Sequence, residues 1–177
     1  MAPALDAKRA EGSMAGTESL ITSEMRAAIG HESEPVTHEL DRTAIRMFAR
    51  SVGHADPVFY DLAAAKAAGY PDLPAPPGYL GTPIFDPVRS DPTSSRRRGA
   101  QELQASRPLT RRLNGGTEIE YFADICAGDV LTASTHLSDV QERQGSLGAM
   151  LISTSKTTYR NQSGEVVAVM TGTGIRY

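Results

Sequence analysis

The feature that most constrains the fold is a row of β-prone segments in the second half of the chain, separated by short turns. Each segment is rich in Val, Ile, Thr or aromatic residues, which favour strands. The segments are Thr117–Phe122, Val130–Val140, Met150–Tyr159 and Val166–Ile175. Glycine-containing turns lie between them at Gly128-Asp129, Gly145–Gly148 and Asn161–Gly164. Strands joined by tight turns pair antiparallel, so residues 116–176 are predicted to form most of an antiparallel sheet.

The first half of the chain is helical in pattern. Apolar residues recur at helical spacing from Ala44 to Val52, and Asp41 is placed to cap the helix, which predicts a helix over Arg42 to Val52. Shorter helices are predicted over Glu18–Ile29 and over Leu62–Ala68. A helical first half and a meandering second half indicate an α+β domain with the sheet wrapped over a helix.

Composition bounds the class of protein. At 177 residues, with 40% apolar and 22% charged residues, the chain is expected to form one globular domain over residues 18–177, preceded by a disordered segment over residues 1–17. No apolar run approaches the ~18 residues of a membrane span, and a cytoplasmic location is expected. The single Cys126 and four histidines without ligand spacing give no support for a metal site.

Positive charge is concentrated between Arg89 and Arg112, where seven arginines face two acidic residues, although the net charge is −3. Residues 86–113 show no clear periodicity. The arginines, including Arg96, Arg97, Arg98 and the pair Arg111-Arg112, lie either in a solvated loop or on a surface that binds phosphates or an acidic partner. Without aromatic interleaving or overall basicity, nucleic-acid binding is not expected.

An ordered set of short motifs resembles a known family. Its pieces are Phe48-Ala49, Gly53-x-x-Asp56-Pro57-Val58-Phe59-Tyr60-Asp61, Gly115-Gly116-Thr-Glu118, Ala127-Gly128-Asp129-Val130-Leu131 and Asn161-Gln-x-Gly164-Glu165-Val166. Together they resemble the MaoC-like dehydratases, in the branch related to the dehydratase domain of fatty-acid synthase. The resemblance implies a hotdog fold whose units pair, and reversible hydration of 2-enoyl thioesters of coenzyme A or acyl carrier protein, without a cofactor.

The same resemblance implies a degenerate catalytic turn. Complete members carry Gly-Asp-x-Asn-Pro-aliphatic-His, in which Asp and His handle water and protons. Here His54, Asp56 and Phe59 stand at the Asp, Asn and His positions. Phenylalanine cannot transfer a proton, so His54 is the one remaining candidate. Complete members also donate a glycine N–H to the thioester carbonyl; the ungapped position here is Pro77, which has no N–H, and a one-residue gap would place Gly78 there.

Three functions follow from this pattern. The first is a catalytically degenerate half that shapes the acyl site while a catalytic MaoC-like partner supplies Asp and His. The second is a homodimer that binds acyl thioesters without chemistry, and the third is a self-sufficient hydratase using His54. Candidate substrate-binding residues are Pro77, Gly78, Asn114, Gly115, Gly116, Arg96, Arg97 and Arg98. The glycines equally suit relief of strain at a strand start, and Tyr60 and Tyr121 are expected to pack in the core with satisfied hydroxyls.

Overall fold

The computed structural model describes residues 19–81, 104–146 and 148–177. Three helices and five strands make up the regular structure of these residues: α1 Ser23–Ala28, β1 Val36–Glu39, α2 Arg42–Ser51, α3 Leu62–Ala67, β2 Arg112–Tyr121, β3 Val130–Gly145, β4 Gly148–Arg160 and β5 Val166–Arg176. Short 3-10 turns cover Pro57–Phe59 and Tyr79–Gly81. The expected disordered segment and Arg96, Arg97 and Arg98 lie outside the described residues.

The strands form one sheet in the order β1-β3-β4-β5-β2. All four neighbouring pairs are antiparallel, and β3, β4 and β5 follow one another as hairpins. The predicted antiparallel meander is therefore confirmed. Strand β2 pairs only with β5 and lies at an outer edge of the described sheet.

Strand β2 begins earlier than the sequence predicts. Arg112 and Leu113 belong to the stretch without clear periodicity, but they pair with Arg176 and Ile175 at the end of β5. The β2–β5 pairing provides hydrogen-bond partners for the backbone of these two residues, and local periodicity does not reveal such a long-range contact. Between Asn114 and Gly116 the register shifts by one residue, so β2 carries one residue more than the facing part of β5.

Helix α2 packs on one face of the sheet. The Asp41 carboxylate accepts hydrogen bonds from the N–H groups of Thr43 and Ala44, which confirms the predicted cap. Its buried residues include Ile45, in a core shared with the three inner strands. The buried members of this core are Leu40, Ile45, Ala65, Leu73, Tyr79, Leu80, Ile125, Leu131, Ala133, Tyr159, Val167 and Ala168.

An ion pair fixes the start of α2. The Arg42 guanidinium binds the Asp72 carboxylate through two hydrogen bonds of 2.8 and 2.6 Å. This pairing, followed by the hydrogen bond from the Leu73 N–H, lowers the pKa of Asp72 from 3.8 to about 2. The pair therefore ties α2 to the segment that leads into the buried Leu73.

A second, smaller core lies under α1. It contains Leu20, Met25, Val140, Ala149 and Leu151. The predicted helix from Glu18 is wrong at its start, because residues 19–22 are not helical and the Leu20 N–H donates to Glu142 Oε2, on β3, at 2.8 Å. Thr22 then caps α1 by accepting from the Met25 N–H.

Among the described residues, no helix is long and apolar enough to cross a membrane.

Candidate functional site

Several hydrogen bonds hold the turn that follows α2. The His54 N–H donates to the Ala49 carbonyl at 2.9 Å, and the Tyr60 hydroxyl donates to the His54 carbonyl. The Asp56 carboxylate accepts from the Val58 N–H at 3.0 Å and so caps the 3-10 turn. The sequence predicted a turn that holds its side chains in fixed positions, and these contacts provide it.

The side chains of this turn do not form an acid–base pair. The His54 ring packs against the Phe59 ring, with centroids 5.1 Å apart and planes inclined by 43°. Asp56 is occupied as a cap, and across the described parts of the chain no carboxylate forms an ion pair with His54. The half-buried imidazole of His54 thus lies beside an apolar ring, where a second proton-transferring group would be needed.

The Gly78 N–H already has a partner. It donates to the Tyr121 hydroxyl at 3.1 Å, across 43 positions of sequence. Gly78 has φ +87, and a Cβ there would lie 3.7 Å from Phe48 Cζ, at the end of α2. Pro77 and Gly78 form a turn, and the 3-10 turn Tyr79–Gly81 follows directly. A thioester carbonyl would have to displace Tyr121 to use this N–H.

Tyr121 is the last residue of β2, and its environment differs from the prediction. Its hydroxyl is satisfied as expected, but its side chain is 38% exposed and is not part of the buried core. Partial burial raises the pKa of the Tyr121 phenol, so the hydroxyl stays protonated near neutral pH. As an acceptor from Gly78, this hydroxyl keeps its own proton for a second partner.

The glycines near the start of β2 have a structural role. The Asn114 side chain accepts from the Gly116 N–H at 3.0 Å, and Gly116 has φ +141. A Cβ at Gly115 would lie 2.9 Å from Thr173 Cγ2 on β5. The register shift therefore explains why both positions are glycine. Asn114 lies seven positions before Tyr121, which is ~20 Å along the strand. The structure therefore does not bring Asn114–Gly116 together with Gly78.

Sequence reasoning missed Tyr121 as a candidate site residue, and it also missed that Arg112 and Arg176 lie side by side. Arg176 lies 64 positions after Arg112 in the chain, but the two are direct partners across β2 and β5. Predicting that these two arginines are neighbours would have required knowing that β2 pairs with β5.

A groove of about 420 Å³ is lined by Glu118, Ile119, Glu120, Lys156, Val169 and Thr171. It contains none of the predicted site residues. In the described ranges no three His, Cys, Asp or Glu side chains converge in a way that could hold a metal ion.

Comparison with known proteins gives a family match over most of the chain. Residues 27–170 match the family described as FAS1-like, dehydratase domain region. A UPF0336 protein of Saccharopolyspora erythraea is 34% identical over 121 residues, which cover 66% of this chain and 70% of that protein. A probable enoyl-CoA hydratase alpha subunit of Thermomonospora curvata is 28% identical over 70% of this chain, and the match covers 40% of that longer protein.

The fold is also similar to that of a solved dehydratase. The crystal structure of the 3R-hydroxyacyl-ACP dehydratase complex HadBC from Mycobacterium tuberculosis superposes with a TM-score of 0.62 at 22% identity. The match covers 84% of this chain and 96% of the HadBC chain.

Proposed function

This chain belongs to the FAS1-like dehydratase family and has its hotdog fold, and on that premise we propose that it is one subunit of a 3-hydroxyacyl thioester dehydratase or enoyl thioester hydratase. In this proposal it is the catalytically degenerate subunit. It shapes the acyl site, while a second hotdog chain supplies the carboxylate and the imidazole that move protons. The substrate is an acyl thioester of coenzyme A or acyl carrier protein, and no cofactor is required.

The observation that carries this proposal is the state of the His54 turn and of Gly78. Hydration needs one group to take a proton from water and another to deliver a proton to the α carbon. Phe59 stands at the position of one of these two groups and cannot transfer a proton, and its ring lies against the only imidazole of the turn. The Gly78 N–H, which would polarise the thioester carbonyl, is bonded to Tyr121. Loss of one such donor alone typically costs ~10²–10³ in rate.

Pairing with a second chain is supported by the edge of β2. Its backbone has hydrogen-bonding groups on the side away from β5, and long unpaired edges are rare in stable proteins. Apolar side chains lie exposed along or just beyond this strand, with Leu113 at 53% and Phe122 at 56% exposure. One relative is a probable hydratase alpha subunit and one structural neighbour is a dehydratase complex, and both fit a chain that works in a complex.

In the complex, the partner's base takes a proton from water as the oxygen bonds to C3 of the enoyl group. The proton that completes the reaction goes to C2 from the partner's acid. This chain contributes the facing wall of the site and excludes water from the acyl group. His54 has no proton to move in this scheme.

The test is hydration of crotonyl-CoA, followed by loss of the enoyl absorbance. The purified chain alone should show no turnover. In a complex with a coexpressed catalytic hotdog chain, His54→Ala should change kcat less than about threefold, as should the matched control His136→Ala. Robust turnover by the chain alone that falls ~10²–10⁴-fold in His54→Ala would contradict the proposal and favour a self-sufficient hydratase. Thioester binding by a homodimer that never acquires activity with any hotdog partner would favour a non-enzymatic carrier.

A further inference from the structure

One hydroxyl at the candidate site carries a proton that it gives to no described group. The Tyr121 hydroxyl accepts the Gly78 N–H at 3.1 Å, and in the described part of the chain it donates to nothing. The Tyr121 side chain is 38% exposed, so a ligand can reach the hydroxyl from solvent. A phenol that already accepts one hydrogen bond is left as a donor. A ligand at this point must therefore supply an acceptor.

The Tyr121 hydroxyl lies where the end of β2 meets the end of α2. Tyr121 pairs with the fully buried Ala168 of β5, and directly paired residues share a face, so the Tyr121 ring lies on the face of the sheet that carries the main core. A Cβ on Gly78 would lie 3.7 Å from the Phe48 ring. Phe48 is in the last turn of α2, which leads directly into the His54 turn. The free donor and the His54 turn thus lie at the same end of the helix.

The surroundings of the hydroxyl favour a neutral acceptor over an anion. Burial raises the pKa of the Tyr121 phenol and the hydrogen bond from Gly78 lowers it, and among the described residues no charged group contributes. The Phe48 ring beside Gly78 packs edge-on against the Tyr79 ring, with centroids 5.6 Å apart. A carboxylate or phosphate would lose hydration there without gaining a cation, whereas a carbonyl oxygen needs only a donor.

From this geometry we infer that the Tyr121 hydroxyl donates a hydrogen bond to the thioester carbonyl of the acyl ligand. The ligand class rests on the proposed function. The thioester carbonyl is the acceptor next to the apolar acyl chain, which suits a hydroxyl near aromatic rings. The Gly78 N–H then acts through the phenol, because hydrogen bonds in a chain polarise and strengthen one another. Tyr121 positions the acyl group in this subunit, and the His54 turn has no acid–base pair to make it react there.

The test compares two ligands of the full chain by calorimetry, butyryl-CoA and S-butyl-CoA, a thioether that lacks only the carbonyl oxygen. Tyr121→Phe should weaken butyryl-CoA binding by about 2- to 12-fold, as expected for one neutral hydrogen bond, and leave S-butyl-CoA binding unchanged. The freed Gly78 N–H should not restore the bond directly, because hydrogen bonds of 3.1 Å and ~2.8 Å separate it from the carbonyl by up to ~6 Å. Tyr60→Phe is the matched control. Its hydroxyl donates to the His54 carbonyl, so its loss should not distinguish the two ligands.

A second measurement observes the carbonyl itself. In the infrared spectrum of bound butyryl-CoA, isotope-labelled at the thioester carbon, the carbonyl stretch should lie at a lower frequency in the wild type than in Tyr121→Phe, because a hydrogen bond weakens the C=O bond. Equal weakening of both ligands in Tyr121→Phe would assign the hydroxyl to a pantetheine amide and refute the inference. Unchanged affinities, or no binding of butyryl-CoA by the wild type, would refute it as well.

The inference and the proposed function fail in different ways. If butyryl-CoA binding and its carbonyl stretch depend on Tyr121 but no hotdog complex hydrates crotonyl-CoA, the hydrogen bond stands and the proposed function is wrong. If a complex does hydrate crotonyl-CoA and the Tyr121→Phe chain binds both ligands as the wild type does, the proposed function stands and the inference is wrong.

Discussion

Replacing Tyr121 with phenylalanine tests the idea that this side chain occupies the Gly78 N–H. The substitution keeps the ring and removes only the hydroxyl, so no cavity forms and the lost contact is one neutral hydrogen bond of 3.1 Å. Such a bond contributes about 0.5–1.5 kcal/mol, and the partial exposure of Tyr121 lets water replace part of it. For a chain of this size the melting temperature should fall by roughly 1–6 °C.

The sharper measurement is hydrogen exchange of the Gly78 amide, followed by NMR. Loss of a bond of that strength should speed its exchange by roughly 2- to 12-fold, since local opening becomes less costly. Tyr60→Phe is the matched control, because it removes a hydroxyl that donates to the His54 carbonyl and leaves the Gly78 contact in place. If the Gly78 amide exchanges equally fast in wild type and Tyr121→Phe, its N–H is not held by Tyr121, and the argument that the donor is occupied fails.

Two further predictions concern stability and assembly. Asp72→Asn should lower the melting temperature at pH 7 by a small amount, roughly 1–3 °C, because exposed ion pairs contribute little. The pKa of Asp72 is depressed in the folded state, so its stabilising effect is present above the ordinary value of 3.8 and is lost as the pH falls towards 2; a difference between wild type and variant that persists below pH 2 would contradict this origin. Wild-type chain at micromolar concentration should scatter light with a mass above 18.9 kDa, and Phe122→Lys should reduce that mass. Val130→Lys, 37% exposed at the β1–β3 side of the sheet, should not, and equal effects of the two lysines would argue against pairing through β2.

Sequence periodicity predicted the fold well where each element carries its own signal. The cap at Asp41, the helix that follows it and the three hairpin-linked strands were all predictable, because their determinants lie within a few residues of one another. The start of β2 was not predictable in this way. Arg112 and Leu113 are in a strand because they pair with the last residues of β5, and no local sequence pattern predicts that contact. The resemblance to MaoC-like dehydratases, drawn from motifs along the chain, is confirmed by the family match.

In the candidate site, too, contacts within one segment were predictable from the sequence and contacts between distant segments were not. His54, Asp56 and Phe59 lie in one turn, so their proximity followed directly from the sequence. The contact between Gly78 and Tyr121 joins two distant segments, and its discovery required the position of β2 beside β5. Dimerisation and the role of the Arg96–Arg98 stretch stay predictions.

The extra residue at Gly115 sets a reading frame for side chains in β2. Beyond the register shift, Ile119 shares a face with Met170 of the main core, whereas before it Arg112 shares that same face with Arg176. If Gly115 instead took a place in the regular alternation, Arg112 would turn to the opposite face of the sheet. Deleting Gly115 would therefore leave Arg112 and Ile119 on one face, whereas one residue added to the regular ladder between Arg112 and Asn114 would act like a frameshift in three dimensions and move the charge of Arg112 to the other side of the sheet.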